Sequence, residues 1–480
     1  MAIHSPIVVL GGGPGGYAAA FLAADMGLQV TIVEASPRLG GTCLLEGCIP
    51  SKALLHVARF LAEAEEMTEW GVSFAKRRLD IDVMRDKKEQ VIAALSGGLE
   101  QLAKRRDVKR IHARGIFVDS QTLQLEGVDP DHPVNERLTF EHCIVATGSR
   151  PVVPELFALK SDRVIDSSGA LELRDVPDSL LVIGAGYIGL EMGTVYAHLG
   201  SKVTVVELTD KLLPGADRDL VKPLARRLKK LFSAIHLETK VTGLKVKGER
   251  VEVAVEGKQV EGPLAVDRVL VAIGRRPNSN GLGLENTDVE IDRRGFIQVD
   301  DRQQTADPHI LAIGDVVGEP MLAHKAAYEG KVAAEFLAGE PAVSDARAIP
   351  AVVFTDPEIA WTGLTVEQAE REGREFEVAS YPWQASGRAH ANSRTDGLTK
   401  WIVEPRTGRV LGCGIVGAGA GELISEAVLA IEMGCTVRDL AATIHPHPTM
   451  SETLAFAGEV HLGTATEIYH PKKRAAAALS

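Results

Sequence analysis

One stretch, IVVLGGGPGGYAAAFLAADMGLQVTIVE from Ile7 to Glu34, leaves few folds open. An apolar strand runs to Leu10, the chain turns through Gly11-x-Gly13-x-x-Gly16, an alanine-rich helix follows, and a second strand closes at Glu34. That order is the βαβ unit of dinucleotide binding. Its glycines let the backbone approach a pyrophosphate at the helix N-terminus, and its acid accepts from a ribose hydroxyl. A glycine turn alone would be weak ground, because such turns are common. Here the whole unit is present, and it recurs. LLVIGAGYIGLEMGTVYAHLGSKVTVVE carries Gly184-x-Gly186-x-x-Gly189 and closes at Glu207, with 23 positions from first glycine to acid in both copies. The chain is read as α/β with two dinucleotide sites.

Composition narrows the class further. At 480 residues and 45% hydrophobic content the chain can bury large cores and is expected to form about three domains. Its net charge of −12 would repel a phosphate backbone, so nucleic acid is not an expected partner. Met1 to Pro6 is too short and too polar for a signal peptide, and no apolar run reaches the roughly 18 residues of a membrane span. A cytoplasmic or otherwise intracellular protein without a membrane span is expected.

Two of the five cysteines, Cys43 and Cys48, fall in GGTCLLEGCIPSK, just after the first βαβ unit. In a reducing compartment a close pair is metal-binding or redox-active rather than structural. A structural zinc site would need a second pair of Cys or His ligands nearby, and none follows. A redox disulfide beside the first nucleotide remains, and no metal is called for. Cys143, Cys413 and Cys435 are isolated among apolar residues and are expected to fill cores. A flavin held at the first site, serviced by a nicotinamide at the second, would connect these parts. Glu207 favours the free 2′-hydroxyl of NAD over the 2′-phosphate of NADP, and no arginine follows it in ELTDKLLPG. Pro50 suits the first turn of a helix through SKALLHVARFLAEAEE, which puts Cys48 just before a positive helix end where a thiolate is stabilised. Lys52 lies four residues on and can share that face.

GGTCLLEGCIPSKALL, ATGSRP, AIGDV, MLAHKAAYEG and HPHPTMSE, in this order from about Ile7 to about Gly463, resemble the flavoprotein disulfide reductases, and within them the dihydrolipoamide dehydrogenase branch that serves 2-oxo acid dehydrogenase complexes. The resemblance implies an FAD-binding domain at 1–150, an NAD-binding domain at 151–278, a return segment at 279–348 completing the FAD domain, an α+β dimerisation domain at 349–470 and a tail at 471–480. Composition alone would not have shown the split FAD domain, though VLVAIGRRP near Arg275 does echo CIVATGSRP near Arg150.

The same resemblance implies residue roles. Cys48 would be the charge-transfer thiolate, Cys43 the sulfur that exchanges with substrate, and Lys52 a flavin neighbour paired with Glu191. His447 would be the general acid/base, oriented by Glu452. From the residues alone TMSE is also a capping box, so Glu452 could serve only a helix end. His445 is expected to be structural. FAD, tightly bound at one per subunit, would meet Gly11, Gly13, Gly16, Glu34, Gly41, Thr42, Lys52, Gly115, Thr147, Gly148, Asp315 and the backbone of Ala323. NAD would meet Gly184, Gly186, Tyr187, Ile188, Gly189, Glu207, Val241, Ala272, Gly274 and Arg275. One departure stands out: Leu45 and Glu46 lie between the cysteines, where the family usually has Asn and a small apolar residue, and a charge there could shift the disulfide potential.

The implied reaction starts from a dihydrolipoyl group on an acyltransferase (E2) or carrier protein, loses a proton to His447, opens the disulfide at Cys43, and ends with NADH, in a homodimer. Glutathione- and mercuric-reductase-like enzymes share the cysteine frame, but they normally use NADPH. The C-terminal HPKKRAAAALS also lacks the vicinal cysteines of mercuric reductases. A chain that chiefly holds the carrier protein, with little turnover, is the alternative from a different class.

Overall fold

The computed structural model describes residues 3–75, 78–128, 135–258, 260 and 262–469, so the tail at 471–480 lies outside the described residues. The chain divides into two compact units, one of 1–177, 243–251 and 267–345, the other of 178–242, 252–266 and 346–480.

In the first unit the strands Lys109–Asp119, Val30–Glu34, Ile7–Leu10, His142–Val145 and Ile310–Ala312 lie side by side and parallel. Ile7 to Leu10 is buried throughout, as expected of a parallel strand covered on both faces, which is why it reads as an unbroken apolar run. Thr122–Gly127 and Asn135–Thr139 extend the sheet in antiparallel fashion. Ile310 to Ala312, far along the chain, pairs in register with Cys143 to Val145 and closes one edge. On one face the helices Pro14–Asp25 and Ala323–Leu337 cross at glycines: a Cβ on Gly330 would stand 2.5 Å from the Gly15 carbonyl oxygen.

The second unit holds the parallel strands Ser179–Ile183, Lys202–Val206 and Ala234–His236 with the helices Tyr187–Leu199 and Arg218–Leu231. It also holds a five-stranded antiparallel sheet from Ala351–Val353 to Glu377–Pro382, packed against Ala420–Glu432, Val437–Ala442 and Glu452–Leu462. The two parts of this unit are pinned together. Lys400, 1% exposed in the antiparallel sheet, reaches Asp217 and Asp219 at the start of the helix Arg218–Leu231, each at 2.7 Å. The observed class is the expected one, α/β with two dinucleotide-binding βαβ modules and a C-terminal α+β part. No helix among the described residues is long and apolar enough to cross a membrane.

Candidate active site

The two glycine turns have the same construction. Gly11 and Gly184 take φ of +113° and +101°, which L side chains rarely adopt. A Cβ on Gly16 would overlap the Gly11 carbonyl oxygen, and one on Gly189 the Gly184 carbonyl oxygen, so the third glycine lets helix and strand close together. The middle glycine is different. A Cβ on Gly13 would meet only Gly41 Cα at 3.7 Å, and one on Gly186 would meet nothing within 4 Å. The protein's own packing requires the outer glycines but not the middle one, which leaves backbone bare for a ligand at a helix N-terminus.

The acids also match. Glu34 accepts the Gly12 and Ser36 amides at 2.5 and 2.6 Å, and Glu207 accepts the Ala185 and Thr209 amides at 2.7 and 2.8 Å. A carboxylate has about four acceptor sites, so each can hold its own glycine turn and still receive a ribose hydroxyl. Both cradles fit a dinucleotide. Tyr187 and Ile188 open the helix Tyr187–Leu199 at the second cradle, and Val241 is buried in the strand Thr239–Lys247.

The cysteines are carried directly onto the first turn. Gly41, at φ +56°, starts the helix Gly41–Glu46, and a Cβ on it would stand 2.5 Å from Gly13 Cα, so a glycine at this position lets the helix that carries Cys43 lie against the first turn. The next helix is Cys48–Glu66. Cys48 is its first residue rather than the one before it, and Pro50 its third, because the break comes at Gly47. Both cysteines are thiols in this structure. The Cys43 thiol is pushed up, first by its hydrogen bond to Cys48 and then by burial, while the Lys52 ammonium pulls it down. Cys48, beside it, sits at a positive helix end where a thiolate is stabilised. Tyr17 is also pushed up, by burial and by the nearness of both cysteines. The departing Glu46 turns aside, accepting the Ser168 hydroxyl at 3.2 Å.

The two echoing segments turn out to be partners. Ser149–Pro151 and Arg275–Pro277 pair antiparallel, with Arg150 opposite Arg276. Arg275 donates to the Ser149 hydroxyl and carbonyl, both at 2.8 Å, and the Ser149 hydroxyl donates to Asp315 at 2.5 Å. Arg275 is thus held to Ser149 within the first unit. Thr147 and Asn278 exchange bonds at 2.9 and 3.0 Å, and Gly148 and Gly274 turn with φ of +68° and +140°. Ala272 directly follows the buried strand Arg268–Val271. A Cβ on Gly115 would stand 2.8 Å from Leu10 Cδ1, so a side chain there would have to displace the end of Leu10. The loop before Ala323 is fixed by buried Glu329, which accepts the Gly314 amide at 2.7 Å and pairs with Lys325.

His447 and Glu452 are joined. His447 Nδ1 donates to Glu452 Oε1 at 2.8 Å, and Glu452 Oε2 accepts the Thr449 amide at 2.7 Å. Glu452 is the first residue of its helix rather than the third, and its two oxygens divide the two readings of TMSE between them: one serves the chain turn, the other the imidazole. A carboxylate only accepts, so the Nδ1 proton is assigned and Nε2 is left as the base, on a side chain 80% exposed. The His445 side chain is 8% exposed with both ring nitrogens engaged, by Thr443 and Glu426 at 3.0 and 2.7 Å, as suits a structural residue. Glu191 is buried and accepts the Phe354 amide at 2.9 Å.

Two family models match, pyridine nucleotide-disulphide oxidoreductase over residues 5–330 and its dimerisation domain over 349–457. The chain belongs to the pyridine nucleotide-disulphide oxidoreductase family. The dihydrolipoyl dehydrogenases of Vibrio cholerae and Haemophilus influenzae are 48% and 47% identical to it, each over 98% of both chains. Among solved structures, LpdA from Mycobacterium tuberculosis aligns with a TM-score of 0.87 at 27% identity, over 95% of this chain and 99% of that one. The HOCl-induced flavoprotein disulfide reductase RclA from Escherichia coli reaches 0.82 at 30% identity, over 94% and 98%. The second family match supports a homodimer.

For an oxidoreductase of this family the geometry supplies a hydrogen-bonded cysteine pair, two dinucleotide cradles, and an imidazole with its tautomer fixed. Sequence reading missed Tyr17 beside the cysteines and Glu329 behind the Gly314 turn. The position after Gly16, and an acid buried within an alanine-rich helix, were the available signals.

Proposed function

We propose that this chain is a dihydrolipoyl dehydrogenase using FAD and NAD, with Cys43 and Cys48 as its redox disulfide and His447 as its acid/base. The observation that carries the reading is the hydrogen-bonded pair Cys43 and Cys48, the first of them on a helix packed against the first glycine turn. FAD, when bound, would supply a two-electron acceptor that the reduced cysteine pair can reduce and NAD can reoxidise. The cradle at Gly11, Gly13, Gly16 and Glu34 would hold FAD, and that at Gly184, Gly186, Gly189 and Glu207 would hold NAD.

His447 Nε2 takes a proton from one thiol of dihydrolipoyl, since a thiol is a poor nucleophile until deprotonated. The thiolate attacks Cys43 Sγ, the Cys43–Cys48 bond breaks, and Cys48 leaves as a thiolate at the helix N-terminus, opposite the Lys52 charge. The second dihydrolipoyl thiol then attacks its neighbour in the mixed disulfide, giving lipoyl and returning a proton to Cys43. Two substrate thiols become one disulfide, and one protein disulfide becomes a thiol and a thiolate.

The reading extends to the four segments at 1–150, 151–278, 279–348 and 349–470, to a lipoylated acyltransferase or carrier protein as the partner that presents the substrate, and to a cytoplasmic setting. The purified protein is expected to be yellow, and two-electron reduction to raise a long-wavelength thiolate-to-flavin absorbance. Cys43→Ser should show that band permanently, without reductant. A colourless protein, or a Cys43→Ser variant without the band at neutral pH, overturns the assignment.

A further inference from the structure

His447 stands on an exposed loop, yet the helix beginning at its partner Glu452 is fastened from beneath by a buried polar chain that the reaction scheme does not use. Thr399, on the strand Leu398–Val403, and Thr453, the second residue of the helix, are both 0% exposed, with their hydroxyls 2.8 Å apart. Trp383 Nε1 donates to Thr399 Oγ1 at 3.0 Å, and Thr453 Oγ1 donates to the Met450 carbonyl at 2.7 Å.

The protons in this chain have one arrangement. An indole N–H can only donate, a carbonyl can only accept, and each hydroxyl has a single hydrogen. The Thr453 hydrogen is committed to Met450, so Thr399 must donate to Thr453 and accept from Trp383. A second bond, Trp401 Nε1 to the Leu454 carbonyl at 2.9 Å, holds the same turn. The two anchored carbonyls, of Met450 and Leu454, lie two residues to either side of Glu452.

The surroundings sharpen the point. Trp383, Trp401 and Leu454 belong to one apolar core, where a polar pair adds little stability over a well-packed apolar one but fixes orientation, and where breaking it strands a donor. Glu452 Oε1 in turn sets the His447 ring. Proton transfer from a thiol tolerates only small errors in that ring's placement, and a displacement of about 1 Å can cost on the order of a hundredfold.

We infer that Thr399, with Trp383, is a positioning residue for proton transfer, keeping Glu452 and so His447 Nε2 in place. This rests on the reading of His447 as the base. Thr399→Val removes the hydroxyl at nearly constant volume. It should lower kcat for dihydrolipoamide by about tenfold or more and displace the pH profile of kcat/KM. NADH oxidation by ferricyanide, which needs no thiol exchange, should stay within about twofold of wild type. Thr399→Ser should restore both dihydrolipoamide readouts, and Thr399→Val placed in a His447→Ala background should cost nothing further, because residues acting as one unit are not additive. If Thr399→Val does not fold, Trp383→Phe, which removes the N–H donor and part of the ring while keeping an aromatic side chain, is judged by the same readouts. An unchanged pH profile and kcat, equal losses with both acceptors, or multiplicative losses in the His447→Ala background overturns the proposal. A fully active His447→Ala overturns the base assignment itself, whereas an inactive His447→Ala beside a fully active Thr399→Val overturns the positioning role alone.

Discussion

Glu34 and Glu207 each hold the glycine turn of their own βαβ unit by a backbone amide, so their carboxylates are fixed before any cofactor arrives. For Glu207 this sets a cofactor choice. Both oxygens are anchored, by the Ala185 amide and by the Thr209 amide and hydroxyl, so the charge cannot swing away from a 2′-phosphate. NADH is expected to be preferred to NADPH by more than tenfold in kcat/KM, a difference of about 1.4 kcal/mol that one unrelieved like charge can supply. Equal specificity constants would refute it. At this scale the sequence was informative wherever the candidate groups sit in a short motif: Cys43, Cys48, His447 and Glu452 are separated by five residues or fewer within their pairs. It was silent on Thr399, because the partner of Thr399 is Thr453, in a different element, and neither type signals a buried pair.

The two glycine turns separate what the fold requires from what a ligand requires. A Cβ on Gly189 would collide with the Gly184 carbonyl, while one on Gly186 would lie in open space. Gly189→Ala should therefore lower the thermal midpoint or prevent folding. Gly186→Ala should leave the midpoint and flavin content near wild type and raise KM for NADH several-fold, by displacing the pyrophosphate. Thermal melts beside NADH kinetics check the pair, and a Gly186→Ala variant with unchanged KM would remove that turn from the NAD site. Element boundaries were less legible than element types. The proline rule places a helix start near Pro50, but Gly47 already breaks the preceding helix and lets the next begin at Cys48. The echo of ATGSRP in AIGRRP was visible, but that the two segments pair was not. A strand pair 126 residues apart leaves no local periodicity to read.

At the scale of the molecule, the single chain leaves apolar side chains in water around its acid/base segment: Ile444 is 97% exposed, Met433 72% and Leu429 62%, all in the part of the chain that ends with the dimerisation-domain match. A homodimer gives such side chains a reason to be there. The proposed active site is expected to be shared, with His447 and Glu452 of one protomer serving Cys43 of its partner. The disulfide lies in the first tenth of the chain and the base in the last tenth, on the dimer-forming segment. In a symmetric dimer any contact from one protomer to its partner is repeated in reverse, so two such sites form. Cys43→Ser and His447→Ala are each expected to be inactive alone. Unfolded and refolded together they form mixed dimers, in which one site joins both defects and the other combines wild-type Cys43 with wild-type His447. About half of the wild-type dihydrolipoamide activity per mixed dimer should return. If each protomer carries its own complete site, every site keeps one defect, and mixed dimers isolated by differential tags will show none.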